Sequence, residues 1–200
     1  MSDNNIAFGK KYFVFLLVFL GMLSAFGPFV TDMYLPVLPQ MADIFKCSAS
    51  TAQFGLTMSL IGLAAGQLFF GPLSDKYGRK PVLLVSLLLF AVSTVVILFS
   101  QTMEWFNICR LFQGIGGAGG IVLSRSIATD YYSGRELAKI LAIIGAINGV
   151  APIASPVIGG IVATFTGWQG IFMVLLGIGI LIIACLLYTS DAADDRISVD

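Results

Sequence analysis

Charge-free apolar intervals divide the sequence into segments long enough to cross a membrane. Four of them have the length of one transmembrane helix, at residues 12–31, 47–74, 81–103 and 105–124, the last interrupted only by Arg110. A helix needs about 20 mostly apolar residues to cross roughly 30 Å of hydrocarbon. A fifth interval, 140–190, is too long for one crossing and predicts two helices joined by a break.

The predicted break lies at residues 164–170, which read Thr-Phe-Thr-Gly-Trp-Gln-Gly. Two glycines and several polar groups favour a turn there, and Trp168 is typical of a membrane interface. The sequence therefore predicts an all-α membrane protein with six transmembrane helices. Strands of a membrane β-barrel would alternate polar and apolar residues over about ten positions, which these continuous apolar runs do not.

Basic residues predict the orientation of these helices. Eight of them lie before the first helix or in the loops after the second and fourth helices: Lys10, Lys11, Lys76, Arg79, Lys80, Arg125, Arg135 and Lys139. In the opposite set of loops we find Lys46 alone. Because cytoplasmic loops carry the excess of Lys and Arg, we expect a cytoplasmic amino terminus. The first interval is longer than a signal-peptide core, so we expect an uncleaved helix.

Composition supports a membrane protein and excludes several chemistries. Charged residues make up 11% of the 200 residues, against about 25% in ordinary soluble domains. With no histidine, the chain has no Ser-His or Cys-His dyad and no histidine-ligated metal. Its three cysteines are widely spaced and predict neither a metal site nor a disulfide framework. A net charge of zero argues against a nucleic-acid partner.

The carboxyl-terminal residues form a separate unit in this interpretation. The string Cys-Leu-Leu-Tyr-Thr-Ser-Asp-Ala-Ala-Asp-Asp, which begins at Cys185, resembles the in-frame translation of an adapter used in transposase-based DNA library preparation. We therefore divide the chain into a six-helix bundle at 1–184, with its sixth helix cut short, and a non-native tail at 185–200. A genuine polar tail after the sixth helix is the alternative.

A tight basic turn joins the second and third predicted helices. It reads Gly-Pro-Leu-Ser-Asp-Lys-Tyr-Gly-Arg-Lys-Pro from Gly71 to Pro81. Its basic residues alone would fit an orientation signal, but Asp75 is an acid retained at a helix end. The string resembles motif A of the major facilitator superfamily, G-x-L-a-D-r-x-G-r-k. The resemblance implies a conformational latch in which Asp75 pairs with Arg125; its other motif A members are Gly71, Gly78, Arg79 and Lys80.

Arg110 lies within the fourth predicted helix, six residues after Glu104. An arginine inside a membrane usually faces a wet cavity or a partner and is a functional candidate, with structural pairing as the alternative. The string Arg-Leu-Phe-Gln-Gly-Ile-Gly-Gly-Ala from Arg110, which includes Gln113, is similar to motif B of the same superfamily. That resemblance implicates the arginine in proton coupling.

Glycines near Arg110 also satisfy the dinucleotide pattern G-x-G-x-x-G, at 114–119. An apolar helical pattern precedes them instead of a strand, and no acid follows about twenty residues later. Close packing between helices explains these small residues better, as it does the G-x-x-x-G spacings at 62–66 and 116–120.

The fifth predicted helix carries two prolines four residues apart among several glycines. Its string resembles motif C of the antiporter branch, although Ala-Pro and Ser-Pro stand where Gly-Pro is usual. Prolines remove backbone donors and bend helices, and glycines permit close approach, so helix packing alone is the simpler interpretation. The residues assigned to a motif C helix bend are Gly149, Pro152, Pro156, Gly159 and Gly160.

Asp32 closes the first predicted helix within the string Thr-Asp-Met-Tyr-Leu-Pro-Val-Leu-Pro. From spacing alone it is equally well an interfacial cap before the proline break. The string resembles the first-helix signature of the bicyclomycin and chloramphenicol resistance subfamily, and residues 124–132 and 167–168 strengthen that match.

The resemblance implies the amino-terminal half of a twelve-helix, proton-driven drug exporter that works by alternating access. Helices one and four would line its cavity, with Asp32 as a proton or cationic-substrate site, Arg110 as its modulator and Gln113 beside them. It implies that the exporter needs no cofactor and is driven by the proton gradient. It also implies a location in the bacterial inner membrane. The implied partners are protons, a small-molecule substrate, the lipid bilayer and the missing carboxyl-terminal six-helix half, without which we expect no transport.

Three alternatives stay open: a membrane scaffold without transport activity, a membrane enzyme and an exporter of a small polar metabolite. The absence of histidine and of polar clusters beyond Asp32, Arg110 and Gln113 disfavours an enzyme. A scaffold has no need of an intramembrane arginine and acid. The identity of the substrate is not encoded by the fold.

Overall fold

The computed structural model describes residues 3–197 of the chain, with side chains described for residues 13–187. Its helices are α1 Asp3–Asp32, α2 Leu38–Ile44, α3 Ala49–Tyr77, α4 Arg79–Leu98, α5 Met103–Tyr131 and α6 Gly134–Ile197. A short 3-10 helix, Leu35–Val37, joins α1 to α2. Within the described part of the chain, five helical stretches are long and apolar enough to cross a membrane.

The last of these stretches, within α6, contains two crossings. The backbone leaves the helical region at Gly167, where φ is 68° and ψ is −167°. Gly159 lies against Met33 of the α1 end, and Gly179 lies against Phe26, further back along α1. Twenty residues of straight helix would separate these glycines by about 30 Å. The chain therefore reverses at Gly167, within the break predicted at 164–170, and the six predicted membrane helices are present.

Local sequence signals explain where the other helices begin and end. Ser48 accepts a hydrogen bond from the Thr51 backbone N–H at 3.1 Å and caps the start of α3. Thr102 does the same for Trp105 in α5, at 3.3 Å. Between α3 and α4, Gly78 adopts φ 91°, a backbone conformation that residues other than glycine rarely adopt. This residue makes the tight turn that the sequence predicts.

Small residues let the helices pack closely around α5. A methyl group added at Gly62 of α3 would overlap the backbone carbonyl of Leu111 in α5. One added at Gly116 of α5 would overlap the backbone of Phe90 in α4. The glycine-rich stretch of α5 thus lies inside a continuous helix and serves helix packing, in agreement with the sequence analysis.

Apolar side chains also cover the outward faces of the bundle. The most exposed include Leu68, Phe69, Ile153 and Phe165. Soluble monomers rarely expose continuous apolar surfaces of this kind, whereas contact with lipid requires them. Side chains of residues 188–200, most of the adapter-like tail, and those of Lys10 and Lys11 lie outside the described residues, so the division at 184 stays a prediction.

Candidate functional site

Arg110 is completely buried at the centre of the candidate site, with 0% relative exposure. Its Nη1 donates to the backbone carbonyl of Val30 at 2.9 Å and to Oε1 of Gln113 at 2.5 Å. Val30 belongs to the last turn of α1, whose final carbonyls lack partners within the helix. The guanidinium therefore caps the negative end of α1 and joins that helix to α5.

Gln113 extends this network to α4. Its Nε2 donates to Oγ1 of Thr94 at 2.8 Å, and both side chains are fully buried. Thr94 in turn donates to the Phe90 carbonyl at 2.7 Å. The structure thus brings the predicted residues Arg110 and Gln113 together and adds Thr94 to them. Three helices are held by one chain of buried hydrogen bonds, whose members cannot be removed singly without leaving a polar atom unpaired.

Aromatic rings enclose the guanidinium. The Arg110 Cζ lies 4.2 Å from the ring centroid of Tyr34 and 5.7 Å from that of Phe172. Phe106 and Trp168 complete the cluster, with their ring centroids 6.1 Å apart and nearly perpendicular. A cation over an aromatic face gains about 0.5–2 kcal/mol, more when water is excluded. This enclosure offsets part of the cost of burying the positive charge.

Several donors at the site lack a hydrogen-bond partner in the described structure. They are Nε and Nη2 of Arg110 and the hydroxyl of Tyr34, all buried. An unpaired buried donor costs about 1–3 kcal/mol, so such groups mark places where a ligand, water or a second conformation supplies the acceptor. The site therefore holds a positive charge with unused hydrogen-bonding capacity.

Asp32 is the last residue of α1 and is half-buried. Its carboxylate lies within electrostatic range of Arg110, although no described basic side chain forms an ion pair with it. Thr31 beside it donates to the Gly27 carbonyl at 3.2 Å and leaves the acid without that hydroxyl as a donor. The predicted acid thus stands at the same helix end that Arg110 caps.

A second polar cluster lies at the other end of the bundle, around Arg79. Its Nη1 contacts Oδ1 of Asp75 at 2.5 Å and Oγ of Ser74 at 2.5 Å. Its Nε donates to Oδ2 of Asp130 at 2.7 Å. These contacts join α3, α4 and the last turn of α5. Because the side chains of Arg79 and Asp130 are 25% and 44% exposed, the pair is partly solvated and modest in energy.

The structure corrects one contact in this cluster. Asp75 pairs with Arg79, four residues along the chain, and not with Arg125. Arg125 is exposed and forms no ion pair among the described residues. The reversal at Gly78 places Arg79 directly beside the end of α3, which makes it the nearer partner. Gly71 faces Val122 of α5 at an ordinary packing distance, and Lys80 is exposed.

Two of the predicted motif C residues contact the segment that follows α1. Gly159 packs so closely on Met33 that an added methyl group would overlap the Met33 carbonyl oxygen. Gly160 faces the ring of Pro36. Gly159 and Gly160 therefore pack against the segment that directly follows Asp32.

The remaining motif C residues lie about one to three turns before Gly159 on the same helix and are more exposed. Gly149 is exposed and has open space where a side chain would be. Pro152 is exposed and Pro156 is half-buried, and the backbone keeps helical dihedral angles through both prolines. The bend assigned to these residues stays a prediction.

Sequence analysis does not identify Thr94, Asp130 or the rings around Arg110 as site residues. A threonine in an apolar helix usually bonds its own backbone, so Thr94 carries no distinct signal. Tyr34 and Trp168 enter the sequence analysis only as part of a signature string and as an interface residue, and nothing in the sequence indicates that they contact Arg110. Asp130 is an acid near a helix end, and nothing in its spacing indicates Arg79 as a partner.

Comparison with known proteins identifies a family that this chain matches. The model of the family described as Major Facilitator Superfamily matches residues 12–198. The chain is 41% identical to "Uncharacterized MFS-type transporter YdgK" of Bacillus subtilis, covering 84% of this chain and 42% of that protein. It is 36% identical to "Bicyclomycin resistance protein homolog" of Haemophilus influenzae, covering 90% and 45%. The chain is also 36% identical to "Chloramphenicol resistance protein" of Pseudomonas aeruginosa, covering 90% and 43%.

A solved structure agrees on the fold. The human organic anion transporter MFSD10 (TETRAN) matches with a TM-score of 0.62 at 23% identity, covering 87% of this chain and 47% of that protein. At this identity the match concerns the fold alone. The chain spans less than half the length of each of these proteins.

Proposed function

The chain belongs to the major facilitator superfamily, and we propose that it is the amino-terminal half of a proton-driven exporter of drugs or other small amphipathic molecules. It is a multi-pass membrane protein of a family of transporters, which are not enzymes. Relatives named for resistance to bicyclomycin and chloramphenicol support this substrate class. The complete exporter would contain a second six-helix half and would work by alternating access.

The observation that carries the proposal is the arrangement of Arg110 and Asp32. A fully buried arginine caps the helix end at which a half-buried acid lies, and two of its nitrogen atoms remain unpaired. An intramembrane charge is costly and persists where it serves transport or proton transfer. We assign proton binding to Asp32, and to Arg110 the electrostatic control of that acid.

The supporting elements have assigned roles in the same proposal. Gln113 holds Arg110 in place. The Arg79 cluster, with Asp75 and its motif A neighbours, acts as the latch that closes one side of the exporter. We place that side, together with the amino terminus, in the cytoplasm because the basic loops lie on this face. We place the protein in the bacterial inner membrane. The proton gradient would be its energy source, with no cofactor. Residues 185–200 carry no function in this proposal.

Transport by the full-length protein tests the proposal. The protein would be reconstituted in liposomes with an acidic interior, and the uptake of labelled chloramphenicol and bicyclomycin would be measured. An antiporter releases protons from the acidic lumen as drug enters, so we expect accumulation that a protonophore abolishes. A scaffold would give no accumulation above that of empty liposomes. Failure of both drugs to accumulate would contradict the proposed substrate class.

A further inference from the structure

We propose that Thr94 is a positioning residue that fixes the orientation of Gln113 and, through it, that of the Arg110 guanidinium. The inference rests on the proposed function, in which Arg110 controls the proton site. Thr94 lies on α4, outside the three motifs that the sequence analysis identifies, and is fully buried. Its role follows from the direction of the hydrogen bonds around it.

The hydroxyl of Thr94 has one proton, and that proton goes to the Phe90 carbonyl at 2.7 Å. Thr94 Oγ1 is then free to accept, and it does so from Nε2 of Gln113 at 2.8 Å. With its amide nitrogen bound to Thr94, Gln113 must turn Oε1 toward Arg110. A guanidinium has donors only, so it requires this oxygen; a flipped amide would set donor against donor.

Close packing of α4 on α5 makes this contact reachable. Gly116 lies against the Phe90 backbone so tightly that an added methyl group would be 2.5 Å from the Phe90 nitrogen. Gln113 and Thr94 each lie about one turn from this crossing point. A larger residue at the crossing would separate the helices and draw the threonine away from the amide.

A threonine that merely bonds its own helix is the simpler interpretation, since such contacts to the carbonyl four residues earlier are common. The bond from Gln113 distinguishes the two roles. Without the hydroxyl, the fully buried Gln113 amide loses its acceptor, and its orientation is no longer fixed. The guanidinium then loses a defined partner on Nη1 and turns more freely.

The test compares Thr94→Val, which keeps the shape but removes the hydroxyl, with Thr94→Ser, which keeps the hydroxyl. Full-length protein carrying ¹⁵N-labelled arginine would be studied by NMR in bilayers, and the Arg110 signals would be identified by their loss in Arg110→Lys. Because Nη1 carries two hydrogen bonds and Nη2 none, we expect two separate Nη signals in the wild type and in Thr94→Ser. In Thr94→Val we expect the chemical shifts of the two Arg110 Nη signals to approach each other.

The flux of protons per drug molecule in liposomes is the second readout. We expect Thr94→Val to lower this ratio, because a guanidinium without a fixed orientation controls the proton site less strictly, and Thr94→Ser to retain it. A purely structural role would lower both fluxes equally and leave the ratio unchanged. Thr94→Ala, which adds no volume, replaces Thr94→Val if the latter does not fold.

Arg110 signals that are the same in Thr94→Val and Thr94→Ser would overturn the inference. Shifted signals with an unchanged flux ratio would overturn its link to transport. If the wild type transports neither protons nor drug, the proposed function fails, while the NMR comparison still decides whether Thr94 positions Arg110.

Discussion

Arg79 Nε lies 2.7 Å from Asp130 Oδ2, a contact that ties the first residue of α4 to the last turn of α5. The same guanidinium binds Asp75 at the end of α3. One arginine thus gathers two acids from two neighbouring helices at the turn that Gly78 creates. Since the acids remain partly exposed, solvent screens the cluster until another surface covers it.

A double-mutant cycle between Arg79→Gln and Asp130→Asn tests this contact. We expect a coupling free energy of up to about 1 kcal/mol, because partly exposed ion pairs contribute little. The measurement is the free energy of unfolding of the full-length protein in detergent. A matching cycle between Asp75→Asn and Arg125→Gln serves as the control and should show no measurable coupling. Coupling in the control cycle alone would contradict the pairing seen in the structure.

Replacing Asp75 tests the latch. In the closed cytoplasmic mouth the opposite half would exclude water and strengthen the acid's interactions. We therefore expect Asp75→Asn to shift the full-length protein toward the cytoplasm-open state, by no more than the lost interaction energy allows. Spin-label distances across the mouth measure this shift, with Glu136→Gln as a control at an exposed acid on α6. Distance distributions identical to wild type would contradict the latch and would leave Asp75 with a role only at the helix end or in membrane orientation.

Substitution of Gly159 tests the contact between motif C and the α1 end. Gly159→Ala would place a methyl group on the Met33 carbonyl oxygen, so the helices must separate. We expect a loss of about 1–3 kcal/mol in the free energy of unfolding. Gly149→Ala is the matched control, since Gly149 has open space around it, and a helical Gly→Ala change there should stabilise by about 0.5–1 kcal/mol. Equal effects at both glycines would contradict the packing.

Arg110 variants test whether the charge alone suffices. Lysine keeps the charge but loses the planar group that binds Val30 and Gln113 and stacks on Tyr34. We expect Arg110→Lys to lower the drug transport rate by roughly tenfold or more, since a charged hydrogen bond contributes about 1.5–3 kcal/mol. Arg110→Ala should abolish transport. A normal transport rate in Arg110→Ala across a range of pH would show that Arg110 has no part in coupling.

The sequence predicts the membrane helices well because their signal is physical and local. Charge-free intervals mark the crossings, and the glycine-rich break at 164–170 contains the reversal at Gly167. The sequence analysis also predicts that Arg110 faces a wet cavity or a partner, and the structure gives it partners at Val30 and Gln113.

Contacts between helices are the part that sequence reasoning does not supply. Whether Asp75 forms an ion pair with Arg79 or with Arg125 depends on the direction that the chain takes after the turn at Gly78, and local spacing permits both. Thr94 reaches Gln113 only because α4 and α5 approach each other closely at Gly116. Such contacts depend on tertiary packing between positions far apart in the chain.

Proton release on drug binding is the most direct test of the central claim that Asp32 couples transport to protons. Chloramphenicol would be added to detergent-solubilised full-length protein in weak buffer, and the released protons would be measured. We expect release from the wild type and from Asp43→Asn, an exposed acid on α2, and none from Asp32→Asn that still folds. Unchanged proton release from Asp32→Asn would contradict the assignment of Asp32 as the proton site.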